Sequence, residues 1–147
     1  AALVCGDGER AERFDLAARH AGVAFQLADD LDDLLEGGDT DSFSDLIEMN
    51  PSYPVLSAAS ESAEIRDHLS RAWSQDKVDV LDAAKLGAEI LRSDGPSRTL
   101  AAIRDEVEIV KRALAPDSAL TPIAEVLFWA EHLAMPRSRM VAGGGRL

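Results

Sequence analysis

The stretch ERAERFDLAARHAGVAFQLADDLDDLL, residues 9–35, decides the fold because it contains no proline and a single glycine, Gly22. Its small and aromatic residues recur at steps of three and four, a spacing that predicts a helix with one buried face. The residues predicted to form that face are Phe14, Ala17, Ala18, Ala21, Phe25 and Ala28. Asp7 is predicted to cap the start of the helix, and Gly37-Gly38 to end it.

The rest of the chain shows the same helical signals. Helices are predicted at residues 55–59, 61–73, 78–91, 96–115 and 120–133, with a loop at 39–53. No stretch alternates apolar and polar residues as a strand does. The sequence therefore predicts an all-α helical bundle: one domain over residues 1–135, followed by a flexible basic tail at 136–147.

Composition restricts the possible partners. The chain carries 27 acidic and 15 basic residues, for a net charge of −12. This balance argues against binding to nucleic acid or to an anionic membrane surface. A single cysteine excludes an internal disulfide, and no apolar run is long enough to span a membrane, so a cytoplasmic setting is expected.

The acidic residues are concentrated in one region. Residues 20–65 contain no Lys or Arg, and Asp29 and Asp33 share a helix face at a spacing of four. Like charges at this spacing cost a few tenths of a kcal/mol per pair, and the helix C-terminus also disfavours anions. A divalent cation is one candidate for compensation. A solvated acidic face is the alternative.

Residues 22–33, GVAFQLADDLDD, resemble the second aspartate-rich motif of the polyprenyl synthetase family, G-x-x-F-Q-x-x-D-D-x-x-D. Residues 45–54, DLIEMNPSYP, resemble the family's D-L-x-x-G-K-x-T-x-P segment. Ser93-Asp94-Gly95 before a long helix resembles a late hinge of the family. The resemblance covers nearly the whole chain, but only the C-terminal half of a family member.

The resemblance implies the C-terminal half of the all-α isoprenoid synthase fold and a Mg²⁺-dependent prenyltransferase of isoprenoid biosynthesis. Such enzymes condense isopentenyl diphosphate head-to-tail with an allylic diphosphate. By the same resemblance, Asp29 is expected to ligate Mg²⁺ directly, with Asp30 and Asp33 supporting it directly or through water.

The resemblance also implies substrate contacts. Gln26 is expected to direct its amide at the substrate or at a metal-bound water, and with Asp29 it forms the expected catalytic pair. Phe25 is expected to line the substrate cavity, with ordinary core packing as the alternative. Asn50 stands where the family has a diphosphate-binding lysine, so it is expected to contact substrate without bringing a charge.

Two departures from the family leave other functions open. Both expected diphosphate-binding lysines are missing, and the first aspartate-rich motif is absent from this sequence. This chain alone is therefore expected to be inactive without an N-terminal half or a partner chain, and family members usually dimerise. The alternatives are a terpene cyclase of the same fold, a non-catalytic partner subunit of a prenyl synthase, and an acidic interaction module without metal.

Overall fold

The computed structural model describes residues 7–35 and 43–115. Within these ranges every regular element is a helix, and there is no strand, which confirms the all-α prediction. The helices are α1 (Gly8–Leu35), α2 (Ser44–Ile47), α3 (Tyr53–Glu61), α4 (Ala63–Trp73), α5 (Val80–Arg92) and α6 (Gly95–Leu114). None of these described helices is both long and apolar enough to cross a membrane.

Local capping explains where several helices begin. The Asp7 side chain accepts a hydrogen bond from the backbone N–H of Arg10 at 2.9 Å, as predicted. Ser62 accepts from Ile65 at the start of α4, and Asp79 accepts from Leu81 at the start of α5. Pro54 and Pro96 occupy the first turns of α3 and α6, where a missing N–H costs nothing.

Two long antiparallel helices, α1 and α6, form the spine of the bundle. Toward the C-terminal end of α1, Leu27 and Leu31 pack against Ile103 and Val107. Toward its N-terminal end, Ala17 packs against the last turns of α6. Burial of such side chains stabilises the pair by roughly 1.5–3 kcal/mol for each large one.

The shorter helices α2 to α5 form a second cluster beside the C-terminal end of α1. Leu34 of α1 joins this cluster together with Leu46, Leu86 and Ile90. Trp73 donates its indole N–H to the carbonyl of Leu46 at 3.3 Å. These contacts fix α2 against the body of the bundle, beside the C-terminal end of α1.

The structure corrects the predicted buried face of α1. The buried residues are Ala17, Ala24, Leu27, Leu31 and Leu34. Ala18 is exposed and Phe25 is 67% exposed, so neither side chain belongs to the core of the described residues. Helix α1 carries two apolar stripes, and α6 packs on the one that contains the leucines.

The predicted loop at 39–53 is also wrong in part, because residues 44–47 form the short helix α2. The other predicted helices are confirmed with shifts of one or two residues at their ends. The helix predicted at 120–133, the basic tail at 136–147, Gly37-Gly38 and residues 1–6 lie outside the described residues.

Candidate functional site

All the predicted site residues except Phe25 surround an open depression of about 330 Å³ where α1 ends and where α2 and α3 begin. We call it the acidic depression. The described residues that line it are Gln26, Asp29, Asp30, Asp32, Asp33, Ser44, Asp45 and Asn50. No lysine or arginine belongs to this lining. Two segments distant in sequence, residues 26–33 and 44–50, are thus brought together around one concave and strongly anionic surface.

Asp33 anchors α2 to α1. Its Oδ1 accepts hydrogen bonds from the Ser44 backbone N–H at 3.2 Å and from the Ser44 hydroxyl at 2.6 Å. Its Oδ2 accepts from the Asp45 backbone N–H at 3.3 Å. A carboxylate at a helix N-terminus satisfies N–H groups that lack partners in the helix. Asp33 therefore has a structural role that the sequence did not predict.

Asp30 performs a similar function for α3. Its Oδ2 accepts a hydrogen bond from the backbone N–H of Tyr53, the first residue of α3, at 3.1 Å. Its Oδ1 accepts from the Gln26 side-chain amide at 2.7 Å. Gln26 therefore orients Asp30 across one turn of α1, with its nitrogen directed at a carboxylate.

Asp29 differs from its neighbours. It is exposed, lines the acidic depression, and makes no hydrogen bond or ion pair with any residue in the described ranges. Within those ranges its charge is therefore compensated by no specific contact. Of the three predicted metal ligands, Asp29 is the one whose oxygens are all available to an external ligand.

The segment around α2 has unusual backbone geometry. Phe43 and Met49, which flank the helix, have φ angles of 63° and 59°. This left-handed conformation is disfavoured for residues with a side chain. Asn50, beside Met49, donates its side-chain N–H to Asp45 at 2.7 Å. The lining residues Asp45 and Asn50 are thus held together at the rim of the depression.

Most residues of the lining were predicted from the sequence. Gln26, Asp29, Asp30, Asp33 and Asn50 all line the depression, as the sequence led us to expect. Phe25 does not, since it projects from α1 with 67% of its surface exposed. Asp32, Ser44 and Asp45 also line the depression but were not predicted as site residues. The available signal was Asp45, the first fixed residue of the D-L-x-x-G-K segment.

The donor set fits magnesium only as a site with few protein ligands. Within the described ranges, no three His, Cys, Asp or Glu side chains are grouped so that they hold one metal ion. Mg²⁺ is, however, commonly held by one or two carboxylates, with phosphate oxygens and water supplying the rest. Asp29 fits that role directly, and Asp30 retains lone pairs beside its two hydrogen bonds. Both oxygens of Asp33 are engaged by α2.

Comparison with known proteins adds no relative. A scan against protein-family models, a search of curated proteins and a search of solved structures each returned no match.

Proposed function

We propose that this chain is part of a Mg²⁺-dependent isoprenyl diphosphate synthase, and that the acidic depression binds the diphosphate group of an allylic substrate through magnesium. The observation that carries the proposal is the convergence of the two motif segments. Gln26, Asp29 and Asp30 of the first segment and Asp45 and Asn50 of the second line the same depression. A shared site is what two substrate-binding motifs require.

Electrostatics makes a cation necessary for this function. The described lining of the depression contains five aspartates and no basic residue, so it repels a diphosphate anion on its own. Bound Mg²⁺ would supply positive charge that offsets the charges of the aspartates and of the diphosphate. This charge would also favour departure of the diphosphate. The role of Asp29 is to present free carboxylate oxygens, and Gln26 keeps Asp30 oriented toward the start of α3.

The backbone at Met49 supports the resemblance independently of the aspartates. In the family pattern D-L-x-x-G-K, glycine occupies the position that Met49 has here. Met49 adopts φ 59°, a conformation that glycine reaches without steric cost. At residue 49 the backbone therefore has a conformation that suits glycine, although this sequence has methionine there.

A non-catalytic partner subunit is the second candidate. It is favoured by the use of Asp30 and Asp33 as anchors for α3 and α2, and by the uncharged Asn50 at the expected lysine position. In such a subunit, the aspartate motif would serve to hold the helices together. A terpene cyclase binds only one diphosphate, so it too would need fewer basic residues than a synthase does.

The test is incorporation of isopentenyl diphosphate into prenyl product by the complete protein, isolated from its own host with any partner chain. We expect Asp29→Ala to lower turnover by about 10²–10³-fold, as loss of a charge-stabilising contact does. The control is Asp105→Ala, an exposed aspartate of α6 that is not part of the depression. Unchanged turnover in Asp29→Ala would support the non-catalytic subunit, and allylic turnover without isopentenyl diphosphate would support the cyclase.

The proposal also covers the setting of the protein. A synthase of this kind would work in the cytoplasm, would use allylic and isopentenyl diphosphates as substrates, and would act with an N-terminal half or a partner chain. A dimer is the expected assembly. Gel filtration with light scattering of the complete protein measures the oligomeric state directly.

A further inference from the structure

The acidic depression is built from two segments, and the second of them, residues 44–50, is held from two sides. On the α1 side, the Asp33 carboxylate accepts hydrogen bonds from the start of α2. On the other side lies Trp73, the last residue of α4, which does not line the depression. Its indole N–H donates to the carbonyl of Leu46 at 3.3 Å. Trp73 therefore holds the second segment from a point outside the site.

The Leu46 carbonyl is the point on which the turn after α2 closes. The last carbonyls of a helix have no partner within the helix, and a helix as short as α2 depends on outside donors to fix its end. Leu46 accepts the backbone N–H of Met49 at 3.4 Å, in addition to the indole N–H of Trp73. Met49 has φ 59°, so the chain leaves the helical path there. The Trp73 hydrogen bond thus fixes the carbonyl from which this turn starts.

The turn carries Asn50 to the rim of the depression. The backbone N–H of Asn50 donates to the Asp45 carbonyl, and its side-chain amide donates to the Asp45 carboxylate, both at 2.7 Å. The Asn50 carbonyl accepts from Ser52, and the next residue, Tyr53, donates to Asp30 of α1. A displacement of the turn would therefore displace Asn50 relative to the aspartates of α1.

The hydrogen bond of Trp73 can be removed without removing its ring. The ring packs with Phe43, Ile47 and Met49 at the edge of the core cluster formed by α2 to α5. Phenylalanine supplies an aromatic ring for this packing, but it has no N–H group to donate. Replacement of Trp73 by phenylalanine therefore tests the hydrogen bond with most of the packing retained.

We propose that Trp73 is a positioning residue of the acidic depression. Through the Leu46 carbonyl it fixes the turn at Met49, and the turn sets the place from which Asn50 contacts a magnesium-bound diphosphate. Trp73 itself touches neither the diphosphate nor the metal, and it lies outside the motif segments that resemble the family. This inference rests on the proposed function, because the effect of Trp73 is exerted on the binding of that ligand.

Calorimetric titration of pyrophosphate with Mg²⁺ into the complete protein tests the proposal. We expect Trp73→Phe to raise Kd by about three- to tenfold with an unchanged stoichiometry, because the turn that places Asn50 loses one hydrogen bond. An unchanged stoichiometry shows that the variant is as fully folded as the wild type. The control is His68→Ala, which removes a contact of α4 with Glu89 of α5 at 2.9 Å. It should lower the free energy of unfolding and leave Kd unchanged.

A double-mutant cycle separates positioning from a general structural effect. In an Asn50→Ala background the positioned side chain is absent, so Trp73→Phe should change Kd by less than about twofold. A general loosening of the protein would instead weaken binding by the same factor in both backgrounds.

Hydrogen exchange gives a readout that needs no ligand. The Asn50 backbone N–H, which is bonded to the Asp45 carbonyl, should exchange about tenfold or more faster in Trp73→Phe than in the wild type. Exchange at Ile65, whose N–H is bonded to Ser62 at the other end of α4, should not change.

The outcomes distinguish a failure of this inference from a failure of the proposed function. Magnesium-dependent binding that Trp73→Phe leaves unchanged, or weakens equally in the Asn50→Ala background, would overturn the positioning role alone. Unchanged exchange at Asn50 would overturn it as well, whatever the ligand does. If the wild-type protein shows no magnesium-dependent binding of pyrophosphate, the proposed function fails, and this inference fails with it.

Discussion

Asp33 and Ser44 are joined by two hydrogen bonds to the same oxygen, from the backbone N–H at 3.2 Å and from the hydroxyl at 2.6 Å. This pair connects the C-terminal part of α1 to the start of α2. The aspartate that the motif resemblance implies as a metal ligand is therefore a structural anchor. The anchoring role can be tested apart from the proposed metal binding because Asp29, four residues earlier, lines the same depression without a hydrogen bond or ion pair to any described residue.

Asp33→Ala should destabilise the protein by about 1–3 kcal/mol, because three hydrogen bonds to a carboxylate are lost. Relief of repulsion from neighbouring aspartates returns only a few tenths of a kcal/mol. Urea denaturation followed by circular dichroism measures the change. Asp29→Ala is the control, and it should leave stability nearly unchanged or slightly higher. Equal destabilisation by both substitutions would refute the anchoring role.

Gly87→Ala should destabilise the protein, because a Cβ at Gly87 would lie 2.3 Å from Cε1 of Phe43. Displacing a packed ring costs roughly 1–3 kcal/mol. Gly22→Ala is the matched control, since nothing lies within 4 Å of a Cβ there. It should stabilise α1 by about 0.5–1 kcal/mol. The two alanines should therefore shift the thermal midpoint in opposite directions, and shifts of the same sign would argue against the Phe43 contact.

At Met49, glycine should be more stable than alanine. Both substitutions remove the same side-chain packing, so the difference between them reports on the backbone alone. At φ 59° alanine bears a steric cost of about 1–2 kcal/mol that glycine lacks. In ordinary helical geometry the order is reversed by about 0.5–1 kcal/mol. Chemical denaturation of Met49→Gly and Met49→Ala decides between the two, and a more stable alanine variant would rule out the left-handed turn.

Asn50→Lys should strengthen binding of pyrophosphate in the presence of Mg²⁺. It introduces the lysine of the family pattern that residues 45–54 resemble, and Asn50 lines the acidic depression. One added charge near the ligand contributes about 1 kcal/mol at the surface, or roughly fivefold in Kd. Titration calorimetry measures the effect. Gln75→Lys makes the same charge change at an exposed position outside the depression and should have little effect. A comparable gain in both variants would show that only net charge matters.

Local chemistry made most of the fold predictable. Several helix starts are set by local effects at Asp7, Pro54 and Pro96. Such effects involve only neighbours in sequence, so these helix starts can be predicted without the tertiary structure. Helix α2 has only four residues, and it depends on Asp33, eleven residues before it, and on Trp73. Such a helix has no sequence signal of its own.

The buried face of α1 shows a second limit. Both apolar stripes of this helix have the spacing of a buried face, and the choice between them is made by α6, which packs on Leu27 and Leu31. Gln26, Asp29, Asp30, Asp33 and Asn50, which line the acidic depression, were predictable from the motif resemblance. The anchoring by Asp30 and Asp33 was not, since it depends on where α2 and α3 begin.

The most direct test of the proposed site is calorimetric titration of pyrophosphate into the protein with and without Mg²⁺. The account predicts binding that requires Mg²⁺, that Asp29→Asn weakens by about tenfold or more, and that Asp105→Asn leaves unchanged. Magnesium-independent binding, or equal affinity in the Asp29→Asn variant, would contradict the claim that Asp29 holds the metal in the acidic depression.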